Sequence, residues 1–121
     1  MTKTTRIISV SVPVDDLDEA LPFYTDVLGC TISYDAEPMP GSRIVEVAPP
    51  GSAVAIVLIP KGRDIPLAIR LGTDDADEAH ERITASGATV HNPEVLRWGG
   101  GIPPMFSFAD PDGNGLVYLE D

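Results

Sequence analysis

Histidine, cysteine and basic residues are scarce in this chain, and each scarcity closes off a class of function. His80 and His91 are the only histidines, so there is little choice of general base. Ser9 and Ser11 lie outside any strand-turn-helix elbow, and no nucleophilic triad is legible. Cys30 stands alone, so no internal disulfide can form, which suits a reducing compartment. It reads first as a small buried hydrophobe and second as a reactive thiol. Lys and Arg total 8 against 19 Asp and Glu, a formal charge of −11, and no basic run interrupts that field. Such a chain repels phosphate backbones and anionic headgroups, so neither nucleic acid nor a membrane surface is an expected partner. No apolar stretch approaches the roughly 20 residues of a spanning helix. Met1–Arg6 is polar and leads directly into an alternating strand, without a signal-peptide core. The expected location is cytoplasmic.

What is present is a repeat. With 43% hydrophobic and 22% charged residues the chain has ordinary globular composition, and 121 residues fit one domain. Asp15-Asp16-Leu17-Asp18-Glu19-Ala20 returns as Asp74-Asp75-Ala76-Asp77-Glu78-Ala79, each copy following an alternating apolar run and leading into a helix-like segment closed by glycine. In the first half Ile8, Val10 and Val12 alternate with Ser9 and Ser11, the period of a half-buried strand. Asp16 and Glu19 form a capping box, and Leu17, Ala20, Leu21, Tyr24 and Leu28 make one apolar stripe that Pro22 should kink. Thr31–Tyr34, Arg43–Val47 and Ala53–Ile59 read as further strands, with turns at Pro38–Gly41 and Pro49–Ser52.

The second half repeats the pattern. Leu67, Ile69 and Leu71 alternate with Ala68 and Arg70, and Asp75 and Glu78 repeat the capping box. Ala76, Ala79 and Ile83 line a shorter apolar face. Ala88–His91, Met105–Ala109 and Leu116–Glu120 are the remaining expected strands, the last two joined by a tight turn over Asp110–Gly115. Each half is therefore β-α-β-β-β, an α+β arrangement of two tandem modules at about residues 6–60 and 66–120. Lys61–Pro66 is the expected connector.

In this form the sequence resembles the glyoxalase/bleomycin-resistance/extradiol dioxygenase (vicinal oxygen chelate) superfamily. The likeness is carried by Val12–Ala20, Phe23-Tyr24 and Val27-Leu28-Gly29 in the first module. In the second it is carried by Asp74–Ala79, Gly87-Ala88, Phe106-Ser107-Phe108 and Asp110-Pro111-Asp112-Gly113-Asn114. The resemblance implies two βαβββ modules forming an open, cup-like half-barrel, often completed by a homodimer. It also implies metal-ligand positions on the first and last strand of each module, which fall here on Ser9, Ala68, Ile56 (or Ala55) and Val117. None of these is His, Asp, Glu or Cys, so no metal and no other cofactor is expected. His80 reads as a surface or boundary residue and His91 as structural. Glu46, alternating with Val45 and Val47, could point into the cup or at solvent, and Glu120 reads as exposed.

If the alternating hydrophobes pack under the helices, Ser9, Ser11, Ala68 and Arg70 face the cup, joined by Val117 and Leu119 from the last strand. That composition suits a small organic ligand. Arg70 either clamps a carboxylate or phosphate or pairs with a neighbouring acid. Trp98 precedes Gly99-Gly100-Gly101 and then Pro103-Pro104. It either stacks on a planar ligand from a mobile loop or fills a core or dimer contact. The expected ligand-binding residues are Ser9, Ser11, Arg70, Trp98, Phe108 and Val117. No catalytic residue is assigned. The leading expectation is a metal-independent protein that binds a small organic molecule, as the family's antibiotic-binding members do. A rival is a lyase, isomerase or dioxygenase holding metal through an atypical set including His91 or Glu46. A third is an interaction module with a vestigial cup.

Overall fold

The computed structural model describes residues 3–37, 40–62 and 67–121. Its strands are β1 (Thr4–Val14), β2 (Thr31–Ala36), β3 (Ile44–Ala48), β4 (Ala55–Pro60), β5 (Ile69–Thr73), β6 (Met105–Ala109) and β7 (Gly115–Glu120). Helix α1 (Leu17–Pro22) runs into a π-helical turn at Phe23–Val27, and α2 spans Ala76–Ala85. The architecture is α+β, with strands paired in both senses. Two compact units divide the chain: Ser9–Leu67, and the chain up to Ile8 together with Ala68–Asp121. The connector expected at Lys61–Pro66 and the turn expected at Pro38–Gly41 lie partly outside the described residues.

In the first unit the strand order is β2-β3-β4-β1, with β1 parallel to β4 and the other pairs antiparallel. The register sets Val12 beside Leu58 and Leu58 beside Val45. Alternation then sends Val12, Val14, Ile56, Leu58, Val45 and Val47 to one side, where Leu17, Ala20, Leu21 and Tyr24 of the helical segment meet them. The segment starts where the acidic repeat predicts. Asp16 is extended and accepts the N–H groups of Asp18 at 2.8 Å and Glu19 at 3.2 Å. Pro22 lacks an N–H, and the ladder beyond it widens into the π turn, closed by the Leu28 N–H on the Phe23 carbonyl at 3.0 Å. The wider turn rotates Leu28 off the apolar stripe, leaving it 53% exposed.

In the second unit the order is β5-β7-β6, with β5 parallel to β7. Its cluster joins Ala79 of α2 to Phe106, Phe108 and Tyr118, with Leu71, Ile83 and Leu116 packed around them. The Phe106 and Phe108 rings lie 5.5 Å apart and those of Phe108 and Tyr118 5.2 Å apart. Leu67 and Ile69, at the start of β5, stay exposed. Helix α2 has two N-terminal acceptors. Asp75 takes the Glu78 N–H at 3.1 Å, and Glu120, expected to be exposed, takes the Ala76 N–H at 3.0 Å from the end of β7. The strand expected at Ala88–His91 shrinks to a single bridge between Val90 and Phe108. Asn92 explains the shortening: its side-chain oxygen takes the Ser107 N–H at 2.7 Å, and Pro93 beyond it has no N–H to pair.

Gly72 shows why one strand position excludes a side chain. A Cβ there would collide with Thr5 Oγ1 and lie 2.9 Å from Asp121 Oδ2. That space holds the ion pair of Arg6 with Asp121, at 3.0 Å from Nε. The turn after β6 is held by Asp110, whose carboxylate accepts from the Asn114 N–H and side-chain amide, both at 2.8 Å.

Two predictions follow from this packing. Phe106 is fully buried, so Phe106→Ala should cost about 3–5 kcal/mol in urea denaturation. Phe23→Ala, at a site 53% exposed, should stay within about 0.5 kcal/mol. The second concerns acid. The side-chain amide of Asn114, then its backbone N–H, hold the Asp110 carboxyl below its ordinary range, as Arg43 does for Asp35 and Arg6 for Asp121. A depressed carboxyl stabilises the fold above its unfolded pKa and loses that contribution as pH falls through the folded value. Denaturation midpoints should therefore hold from pH 7 down to about 5 and drop below about 4. The gap between the parent and Asp110→Asn, open at pH 7, should close on acidification.

Candidate functional site

Strand alternation leaves each unit one face without a helix. In the first unit an in-register row, Ser11–Val57–Glu46–Tyr34, crosses β1, β4, β3 and β2. Side chains directly across from one another share a face, so Glu46 points away from the α1 cluster, a direction its sequence neighbours leave open. A register shift between Ile32 and Tyr34 brings the tyrosine opposite Glu46, with Ser33 donating to the Glu46 carbonyl at 3.2 Å. Ser9 pairs with Ala55 in the neighbouring row and is 1% exposed. Among the described residues its hydroxyl has no hydrogen-bond partner.

The second unit carries the row Arg70–Val117–Ser107 across β5, β7 and β6. Arg70 and Val117, both expected at the ligand site, are direct neighbours there on the side away from α2. Phe108 is a correction. It lies two residues from Phe106 on one strand, shares its face, and packs in the cluster under α2. Ser107, between those two phenylalanines, takes the helix-free side by the same parity, a signal present in the sequence. Tyr34 has no such signal, because a register shift leaves no mark in composition.

Trp98 is 57% exposed, and no other ring among the described residues contacts it. It sits on a hairpin arm rather than in an unstructured loop. Leu96 and Met105 exchange N–H···O bonds of 2.7 and 3.1 Å, and the Ile102 N–H reaches the Gly99 carbonyl at 3.1 Å. Gly99, Gly100 and Gly101 have φ of 74, 61 and 86°, three consecutive left-handed residues that only glycine adopts without strain. Arg97 pairs with Asp77 and ties the arm to α2.

The metal implied by the family can be tested against the donors present. Ile56 packs in the α1 cluster and the register sets Ala55 beside Ser9, so the first-unit positions offer one hydroxyl and one methyl. Ala68 and Val117 in the second unit are hydrocarbons. A divalent ion needs several nitrogen, sulfur or carboxylate donors at bonding distance. Among the described residues no three His, Cys, Asp or Glu side chains gather. His91 is exposed, Glu120 caps α2, and His80 hydrogen-bonds the Asn92 carbonyl through Nε2 at 2.7 Å. This donor set does not fit the family's metal, and no chemical step is assigned to one. Two open grooves, of about 380 and 350 Å³, run along the helices instead. Their walls carry ion pairs, Asp15 with Lys61 at 3.0 Å in one and Asp77 with Arg97 in the other. No helix among the described residues is long and apolar enough to cross a membrane.

Two α+β units, each laying one helix over one side of mixed strands, define a glyoxalase-type protein. The chain matches the Glyoxalase/Bleomycin resistance protein/Dioxygenase superfamily over residues 6–118, and it belongs to that superfamily. YetH of Bacillus subtilis (strain 168), described as an uncharacterized protein, is 28% identical over 121 residues, covering 95% of this chain and 98% of that one. Among solved structures, methylmalonyl-CoA epimerase from Mycobacterium tuberculosis superimposes with a TM-score of 0.81 at 23% identity, covering 97% of this chain and 88% of the epimerase. A methylmalonyl-CoA epimerase in complex with methylmalonyl-CoA and NH4+ gives 0.78 at 20% identity, covering 98% and 96%. At those identities the likeness speaks for the fold.

Proposed function

We propose that this protein binds a small organic acid, aromatic or amphipathic, without a metal, and that sequestration of such a compound is its role. The observation that carries the reading is the position of Arg70. A guanidinium stands half-buried on the helix-free side of β5, directly beside Val117 and one strand from Ser107. A planar, permanently charged fork next to an apolar side chain suits a carboxylate attached to a hydrophobic body. Trp98, exposed on the hairpin arm of the same unit, supplies a flat surface for a ring. Ser9 and Ser11 offer hydroxyls on the corresponding face of the first unit. A reading as a metal-dependent enzyme finds no support in the donors at the family positions. The protein works in the cytoplasm as a homodimer, in which a two-fold partner covers strand edges such as β2.

Aromatic acids such as 3-phenylpropionate should quench or shift the fluorescence of Trp98, the chain's single tryptophan, in a saturable way. Arg70→Ala should weaken binding roughly 10-fold or more, the usual worth of a charge-assisted hydrogen bond. Absence of saturable binding across a panel of aromatic acids rejects the reading. Sedimentation at micromolar concentration should show twice the 12.8 kDa chain mass, and a species of that single mass rejects the dimer.

A further inference from the structure

The helix-free face of the first unit carries a charge that the arginine reading leaves unused. Glu46 is held on that face by Val45 and Val47, both fully buried on the other side. Its carboxylate is half-buried, and among the described residues no cation pairs with it. The contrast with the rest of the chain is plain. Arg6 pairs with Asp121 at 3.0 Å, Arg43 with Asp18 at 2.8 Å and Asp35 at 3.0 Å, Lys61 with Asp15 at 3.0 Å, and Arg97 with Asp77. A carboxylate partly withdrawn from water with no counter-charge is costly to keep. Tyr34 stands directly across from it with its ring 42% exposed. On the same face, Ser9 adds a second polar group without a partner among the described residues, and it is 1% exposed.

We infer that this face is a binding site for an amphipathic organic amine, with its ammonium on Glu46 against the Tyr34 ring and a hydroxyl at its far end on Ser9. An ammonium brings three donors and the missing positive charge. An aromatic face beside the carboxylate adds cation–π attraction. Spacing sets the ligand's length. Glu46 lies two strands from β1, and Ser9 one further row along it, so their backbones are separated by roughly 10–12 Å on standard strand dimensions. One atom cannot satisfy both groups, whereas an amine and a hydroxyl at opposite ends of one aromatic ring can. The assignment is independent of Arg70, which belongs to the other unit.

The test is calorimetric titration with 2-phenylethylamine and tyramine, which differ only by the distal hydroxyl. Both should bind the parent saturably, with tyramine about 2–10-fold tighter, the worth of one neutral hydrogen bond. Ser9→Ala should erase that difference while leaving the free protein no less stable, because it removes an unpartnered hydroxyl. Glu46→Gln should weaken both amines at least 10-fold, and Tyr34→Leu about 2–5-fold. Glu94→Gln, the same charge change on an exposed residue elsewhere, and Arg70→Ala should change neither. Equal losses from Glu46→Gln and Glu94→Gln would reduce the binding to the general attraction of a −11 chain for cations and overturn the site. So would absence of saturable binding, or competition by 3-phenylpropionate, the acid on the same skeleton. Equal affinity for the two amines in the parent removes Ser9 from the site.

Discussion

Two parallel registers, β1 on β4 and β5 on β7, decide which side chains can meet. Each sets a residue of a module's first strand directly beside one of its last: Ser11 with Val57, and Arg70 with Val117. A slip of one residue in either pair would exchange its faces, driving Arg70 under α2 and Leu71 out. What resists the slip is the apolar set on the helix side. Leu58, Val45 and Val47 in the first unit and Phe106 in the second are fully buried, and none tolerates transfer to the opposite face. The helix-free faces can carry a guanidinium, a carboxylate and an orphan hydroxyl because the other faces hold the register.

Much of this is legible before any coordinates. The doubled acidic segment marks two helix starts, and Asp16 and Asp75 cap them. The alternation of Ser9 and Ser11 with valines, and of Arg70 with leucine and isoleucine, gives the parity that assigns faces. The losses have physical causes. Leu28 leaves its stripe because a proline changes the helix type, which shifts every later residue around the axis. Ala88–His91 is too brief to remain a strand once Asn92 takes over a backbone hydrogen bond. Tyr34 depends on a register shift, and Glu46 on its cross-strand neighbours, neither of which is local information. Phe108 was misassigned although its parity with Phe106 was in view, because both flank Ser107 and only Tyr118 shows which side the rings occupy.

The acidity of the chain also divides into jobs. Asp16 and Asp75 cap helices, Asp110 closes a turn, Asp18 and Asp35 hold Arg43, and Asp121 holds Arg6. These carboxylates are tied to local structure, and their replacement would be felt as lost stability. Glu46 is different in kind, since among the described residues it serves neither a cap nor an ion pair. The superfamily's metal positions show the complementary pattern: hydrocarbons and one serine stand where donors would be needed. This chain has kept the scaffold while changing what its strands present.

The bond from Glu120 to the first turn of α2 spans 44 residues. A helix of ten residues is marginal alone, and this one receives its second N-terminal acceptor only after β7 has been made. At bacterial synthesis rates of about 5–20 residues per second, the delay lasts roughly 2–9 s. Through that interval Phe106 and Phe108 have been translated, while Tyr118, which closes over them, has not. The second unit thus passes through a window on the ribosome in which its most aromatic strand is uncovered, a natural moment for a chaperone to engage the nascent chain.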